Sequence, residues 1–446
     1  MMKITKTIAC LAFASFCWAP AWAWDNHTLI SRALLESMPQ VTSSDQVKVE
    51  SLASFLLANE AALAEHLKQD EAWMAENLWH YQARPEALAF KVSDNKDNIV
   101  ERFKRAIRIN PESRLSLYLQ LPPTYKLDSM PAIAAEDVSV FNDLSYINTE
   151  EMMALKPGDL VKPLHVAVSA NDEPDHGLDI GLFTDSGTEH GQEYGFGEQA
   201  FGNPNLEYGT QAPFHMGFYH ESSVLYALGG FLKRTYPEMR IYQYQSLARF
   251  AFANGHDYWG WRFMGWGLHY IGDFSNPYHV TPVPGNSTLS TLWVGLLDML
   301  GLPEAKYEAT QLVSNRHTVL EDFQSQLMTL QLENNNHQHE TFKALAVKYP
   351  VANYQHSDPV NVFSKVSVEK ADHVHQVLRK HMPHNFVMDA EVEYTDLNAK
   401  KNLVATINEH SGKEGEQALV ETVANLMADF AKHGSAYVQH ILSAKP

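Results

Sequence analysis

The stretch that most constrains this chain is 251–279, in which an aromatic-rich segment runs into HYIGDFSNPYH. Residues 251–273 read as one continuous helix with aromatic side chains at nearly every turn. His269 and Asp273 lie four apart in it, and side chains four apart share a helical face at about 5–6 Å. An imidazole and a carboxylate placed so can grip one divalent ion. Asn276-Pro277 ends the helix, because the residue before proline is pushed out of the helical region. His279 then swings back toward the same cleft.

The first 23 residues read as a secretory signal. Lys3 and Lys6 make a short basic region, Ile8 to Cys17 is mostly apolar, and Ala21-Trp22-Ala23 is a small-x-small cleavage site. The apolar run is too short for a membrane span, and no later run approaches the roughly 18 residues one needs. The expectation is a secreted or periplasmic protein without a transmembrane segment. Both cysteines, Cys10 and Cys17, fall inside the signal, so the mature chain has no disulfides. Residues 1–23 hold two lysines and no acid, so their removal takes the formal charge from −19 to −21. Such an excess argues against a broad basic surface for nucleic acid.

The expected fold class is all-α. Residues 24–38 and 46–78 have helical spacing, whereas 80–165 is broken by six proline sites into an irregular insertion. Residues 171–221 read as a Gly- and acid-rich loop of about 50 residues, a length usually functional or disordered. Helices are expected at 222–236, 239–273, 291–300 and 310–332, the last carrying His317 and Glu321 four apart. The Asn/His-rich 332–340 marks a boundary, and 341–446 is again mostly helical. This gives a signal at 1–23, a body at 24–332 and a helical C-terminal region at 341–446.

With its tryptophan at the mature N-terminus, a nearby His, Asp and His in following loops, HYIGD-x5-H and a later H-x3-E, the chain resembles the zinc-dependent phospholipase C family. That family shares its all-helical fold with single-strand-specific zinc nucleases. The resemblance covers roughly 24–330, and its most specific piece is HYIGDFSNPYH together with a cleavage exposing Trp24. It implies three Zn2+ ions. One would be held by Asp175, His215, His269 and Asp273, and a second by His279, His317 and Glu321. The third would be chelated by the α-amine and carbonyl of Trp24, helped by His27 and bridging Asp273. Asp175 would also accept the proton of the attacking water. EPD-x-G-x-D favours Asp175 and FHMGFY favours His215, with Asp172, Asp179 and His220 as competitors.

The implied activity is phospholipase C at a membrane surface, releasing diacylglycerol and a phosphorylated head group. The related nucleases typically carry a Gly-Gly-Asn segment after the central motif and H-x3-D later. This chain has PVPGNST and H-x3-E instead, and nucleic acid is an unlikely substrate. A single-strand nuclease and a non-catalytic exported zinc-binding protein remain the alternatives. For a choline head group an aromatic cage is needed, with Phe214 and Tyr219 as candidates. The helix at 291–300 is the candidate for membrane contact.

Overall fold

The computed structural model describes residues 26–125, 130–202, 208–285, 304–350 and 353–445. Trp24, the expected signal at 1–23 and the 291–300 segment lie outside the described residues. The fold is all-α, and the helices that matter to the site are α1 (His27–Glu36), α2 (Leu52–Asn77), α3 (Ile99–Ala106), α4 (Pro163–Asp172), α5 (Ala212–His215), α6 (Pro237–Ala253), α7 (Asp257–Asp273), α8 (Pro277–Val280), α9 (Glu304–Glu333), α10 (Glu340–Leu345), α11 (Lys365–His381) and α12 (Leu403–Leu442). Two small antiparallel ladders interrupt them: β1 (Val47–Lys48) pairs with β4 (Leu160–Val161), and β2 (Tyr118–Gln120) with β3 (Met152–Ala154).

Local chemistry sets the helix starts. Asn26 caps α1 by accepting from the Leu29 amide, and Ser51 caps α2 by accepting from the Ser54 amide. Pro163, Pro237 and Pro277 open α4, α6 and α8 in the first turn, where a missing N–H costs nothing.

α7 is the axis of the body. Every residue from Tyr258 to Asp273 is buried, including Trp259, Trp261 and Trp266. A helix apolar on all sides must be enclosed, and α4, α6 and α12 pack around it. α12 comes close enough that a Cβ at Gly267 would lie 1.8 Å from the Tyr437 hydroxyl. Gly267→Ala is therefore expected to destabilise the protein by about 1–3 kcal/mol through overpacking. A thermal melt unchanged from wild type would contradict that packing.

Three expectations are corrected. The helix expected over 239–273 is two, because Gly255 takes φ +78° and turns the chain between α6 and α7. The 222–236 helix is a short one at Ser223–Leu228 followed by a 3-10 turn at Gly230–Lys233. The 171–221 loop begins inside α4, continues as a 3-10 turn at Glu173–His176, and contains short helices at Glu189–Glu193 and Ala212–His215. The insertion at 80–165 is irregular, with α3, short 3-10 turns and the β ladders. The C-terminal region shares the main core: Phe430 and Tyr437 of α12 sit in one apolar cluster with Leu34 of α1 and Trp266 of α7.

Burial also creates a pH-dependent cost in the first turn of α6. Glu238 is buried, and its Oε2 accepts from the Trp79 amide at 3.0 Å. Burial pushes its carboxyl up from 4.5 to about 7, with the Trp79 N–H opposing. A raised folded pKa favours folding below 4.5, and that stability is lost as pH rises through about 7. Glu238→Gln keeps the acceptor and removes the ionisation. It is expected to be neutral near pH 5 and to stabilise by about 2–3 kcal/mol at pH 8. Denaturant midpoints at the two pH values check this, and an equal gap at both would contradict it.

Candidate metal centre

Six separate segments converge on one buried site. α1 supplies His27, the 3-10 turn after α4 supplies Asp175, and α5 supplies His215. α7 supplies His269 and Asp273, α8 supplies His279, and α9 supplies His317 and Glu321. Their donor atoms form three groups able to hold a metal ion: His27 with His269 and Asp273, Asp175 with His215 and His269, and His279 with His317 and Glu321.

Asp273 links the first two groups because its two oxygens face different ways. Oδ1 lies 3.6 Å from His27 Nε2 and 3.7 Å from His279 Nδ1. Oδ2 lies 3.1 Å from His215 Nδ1 and 3.5 Å from His269 Nε2. Asp175 faces the same space, 3.7 Å from His269 Nε2, 3.8 Å from His215 Nδ1 and 3.9 Å from His27 Nε2. Across from these, Glu321 Oε1 is 2.8 Å from His317 Nε2 and 3.2 Å from His279 Nε2.

Hydrogen bonds behind these groups orient them. His269 Nδ1 donates to the Asn171 carbonyl at 2.8 Å, which leaves Nε2 as a lone pair pointing into the site. His279 Nδ1 likewise donates to the His215 carbonyl at 3.0 Å. His215 Nδ1 faces inward, 3.1 Å from Asp273 Oδ2, while its Nε2 lies 3.7 Å from Asp179 Oδ2, beyond hydrogen-bond distance. Asp179 is held in turn by Arg240 and by the Tyr270 hydroxyl. Asn276 ends α7 and starts α8 by accepting from the Tyr278 amide, and its Nδ2 donates to Glu321 Oε1 at 2.8 Å. Arg262 of α7 and the Trp266 indole bond Glu173, which fixes the turn bearing Asp175.

The electrostatics fit a cation. Burial, then the neighbouring Asp175, Glu321 and Asp179, drives the Asp273 carboxyl well above its usual range. Burial holds His215 and His269 well below theirs and His317 down to about 3, so the imidazoles are neutral. Three buried carboxylates thus face one another across the site, while the nearby Arg240 is paired with Asp179. Asp273 Oδ1 is buried and accepts no hydrogen bond from the described residues. His269 Nε2 and His215 Nδ1, both turned inward, stand 3.0 Å apart. Buried carboxylates crowded together are costly unless a positive charge compensates them.

All the expected ligands among the described residues therefore come together. Asp172 and Asp179 do not face the centre as ligands: Asp172 is bonded to the His27 amide and to Gln120, and Asp179 to Arg240 and Tyr270. His220 is corrected as a competitor, because its Nε2 faces the Val360 carbonyl and Ser364 instead. The aromatic-cage candidates are also corrected: Phe214 is fully buried beneath Arg240, and the Tyr219 hydroxyl accepts from the Glu238 amide. Sequence reasoning missed Arg240, Asn171 and Asn276 as supports. Only Asn276 carried a signal, its place before Pro277. Comparison with protein-family models, with characterised proteins and with solved structures returns no match for this chain.

Proposed function

We propose that the protein is an exported zinc-dependent phosphodiester hydrolase, acting as a phospholipase C on glycerophospholipids. The observation that carries this reading is the two-sided placement of Asp273, with His27 on one oxygen and His215 and His269 on the other, which suits adjacent ions rather than isolated ones. The donors are imidazole nitrogens and carboxylate oxygens, the set that zinc takes in catalytic centres. His215, His269, Asp175 and Asp273 would hold one ion, and His279, His317 and Glu321 another. His27 and Asp273 would hold a third with the terminal residue Trp24. Bound there, the ions would polarise the phosphoryl oxygens and bring the pKa of a coordinated water to about 7.

The protein's own groups do the rest. Asp175 is the most exposed of the carboxylates, at 5% against 0% for Asp273 and 1% for Glu321. It is thus the one best placed to take the proton from an attacking water. Gln211 Nε2, 3.4 Å from Asp175 Oδ1, limits its swing. The Asn171 carbonyl, the His215 carbonyl and Asn276 hold the imidazoles and Glu321 in register, so little reorganisation accompanies charge build-up. Water attack on phosphorus would break the bond to the glycerol oxygen, giving diacylglycerol and a phosphorylated head group.

The test is a paired assay of the mature protein on phosphatidylcholine vesicles and single-stranded DNA. Hydrolysis of the lipid, abolished by chelator and restored by Zn2+, is expected. Cleavage of DNA alone would reassign the centre to a nuclease. Zinc uptake without turnover of either substrate would make the protein a metal binder.

A further inference from the structure

We propose that Asp172 is a positioning residue that seats His27 in the metal centre, and that its carboxylate sets the direction of a buried hydrogen-bond chain reaching Tyr146. The inference rests on the metal centre proposed above. Asp172 is the last residue of α4 and is buried. Its Oδ1 accepts from the His27 backbone N–H at 2.9 Å. His27 opens α1, where backbone N–H groups have no acceptor within the helix and the helix dipole favours negative charge.

The bond ties down the first turn of the element that delivers the ligand. His27 Nε2 then sits 3.6 Å from Asp273 Oδ1 and 3.9 Å from Asp175 Oδ2, with its ring 3.9 Å from the His269 ring.

The second oxygen fixes polarity further away. Asp172 Oδ2 accepts from Gln120 Nε2 at 2.5 Å. A carboxylate offers only acceptors, so Gln120 must turn its nitrogen toward it and its carbonyl outward. That carbonyl meets His176 Nε2 at 2.8 Å. His176 must therefore carry its proton on Nε2, which leaves Nδ1 to accept from the Tyr146 hydroxyl at 3.4 Å. The Gln120 amide also donates to Ser169 Oγ on α4, so β2 and α4 are stitched together at this point.

The experiment titrates metal-depleted protein with Zn2+, counting bound ions by elemental analysis, and reads the His176 tautomer by nitrogen NMR. In Asp172→Asn, one ion per chain is expected to bind roughly 10–100-fold more weakly, the usual effect of losing a group that orients a ligand. The ion at His279, His317 and Glu321 is expected to keep its affinity. Gln120→Leu leaves the carboxylate in place and should weaken the same ion by less. Wild type should show His176 protonated on Nε2. A uniform fall in all affinities, unaltered zinc binding by both variants, or an Nδ1-protonated His176 in wild type would each overturn the inference. Wild-type protein that takes up no zinc would instead sink the metal centre itself.

Discussion

Asp273→Asn is expected to cost on the order of 10^3-fold in phosphodiester turnover, the scale seen when one charge-stabilising group is removed. The reason is that both carboxylate oxygens are in use, one toward His27 and His279 and the other toward His215 and His269. An amide offers one oxygen in their place and no charge, so one side of the centre would lose a ligand atom and both sides the compensating charge. The same change should act oppositely on the metal-free protein. There the carboxylate is fully buried and faces Asp175 and Glu321, so neutralising it removes repulsion and desolvation cost. The melting temperature of the chelated variant should thus exceed that of chelated wild type, while the zinc-loaded order reverses. The same order in both states would contradict a cation-filled centre.

The second large effect lies one step behind the proposed ligands. Arg240 is fully buried, bonds Asp179 Oδ1 through Nε at 2.9 Å and Nη2 at 2.6 Å, and donates to the carbonyls of Ile107 and Arg108. Arg240→Met would leave Asp179 buried without its counter-charge and two carbonyls without donors. Removing one partner of such a pair typically costs about 3–5 kcal/mol. Asp179 also faces His215 Nε2, so zinc affinity should fall along with stability. Denaturant unfolding of the zinc-free protein measures the first effect separately, and a loss below about 1 kcal/mol would show that the pair is not integral.

How far these features were legible in the sequence depended on how local their cause is. His269 with Asp273 and His317 with Glu321 announce themselves because a helix places residues four apart on one face. Asn276-Pro277 likewise signalled the bend that returns His279. Asp175 could not be separated from Asp172 and Asp179 by spacing, because all three sit within one turn-rich stretch. What separates them is partners elsewhere in the chain: the His27 amide and Gln120 for Asp172, and Arg240 and Tyr270 for Asp179. Arg240 gave no signal at all, since its role depends on an aspartate 61 residues away.

The fold follows the same division. Helical periodicity identified α1, α2, α9 and the C-terminal helices. Asn254-Gly255 is a turn-forming pair inside an aromatic run, and the helical reading of 239–273 passed over it, so α6 and α7 were joined. α4 went unrecognised beside a proline-broken region, although Pro163 is well suited to a helix start. Its burial against α7 and its bonds to β2 are tertiary, and they hold the turn that carries Asp175.

The most direct measurement is the metal content of the protein purified without chelator, taken together with its activity. Zinc at about three ions per chain, one for each donor group, is expected, with phosphatidylcholine hydrolysis that disappears on chelation and returns with Zn2+. Protein that is folded but holds no divalent metal, or holds zinc and cleaves no phosphodiester, would contradict the central claim.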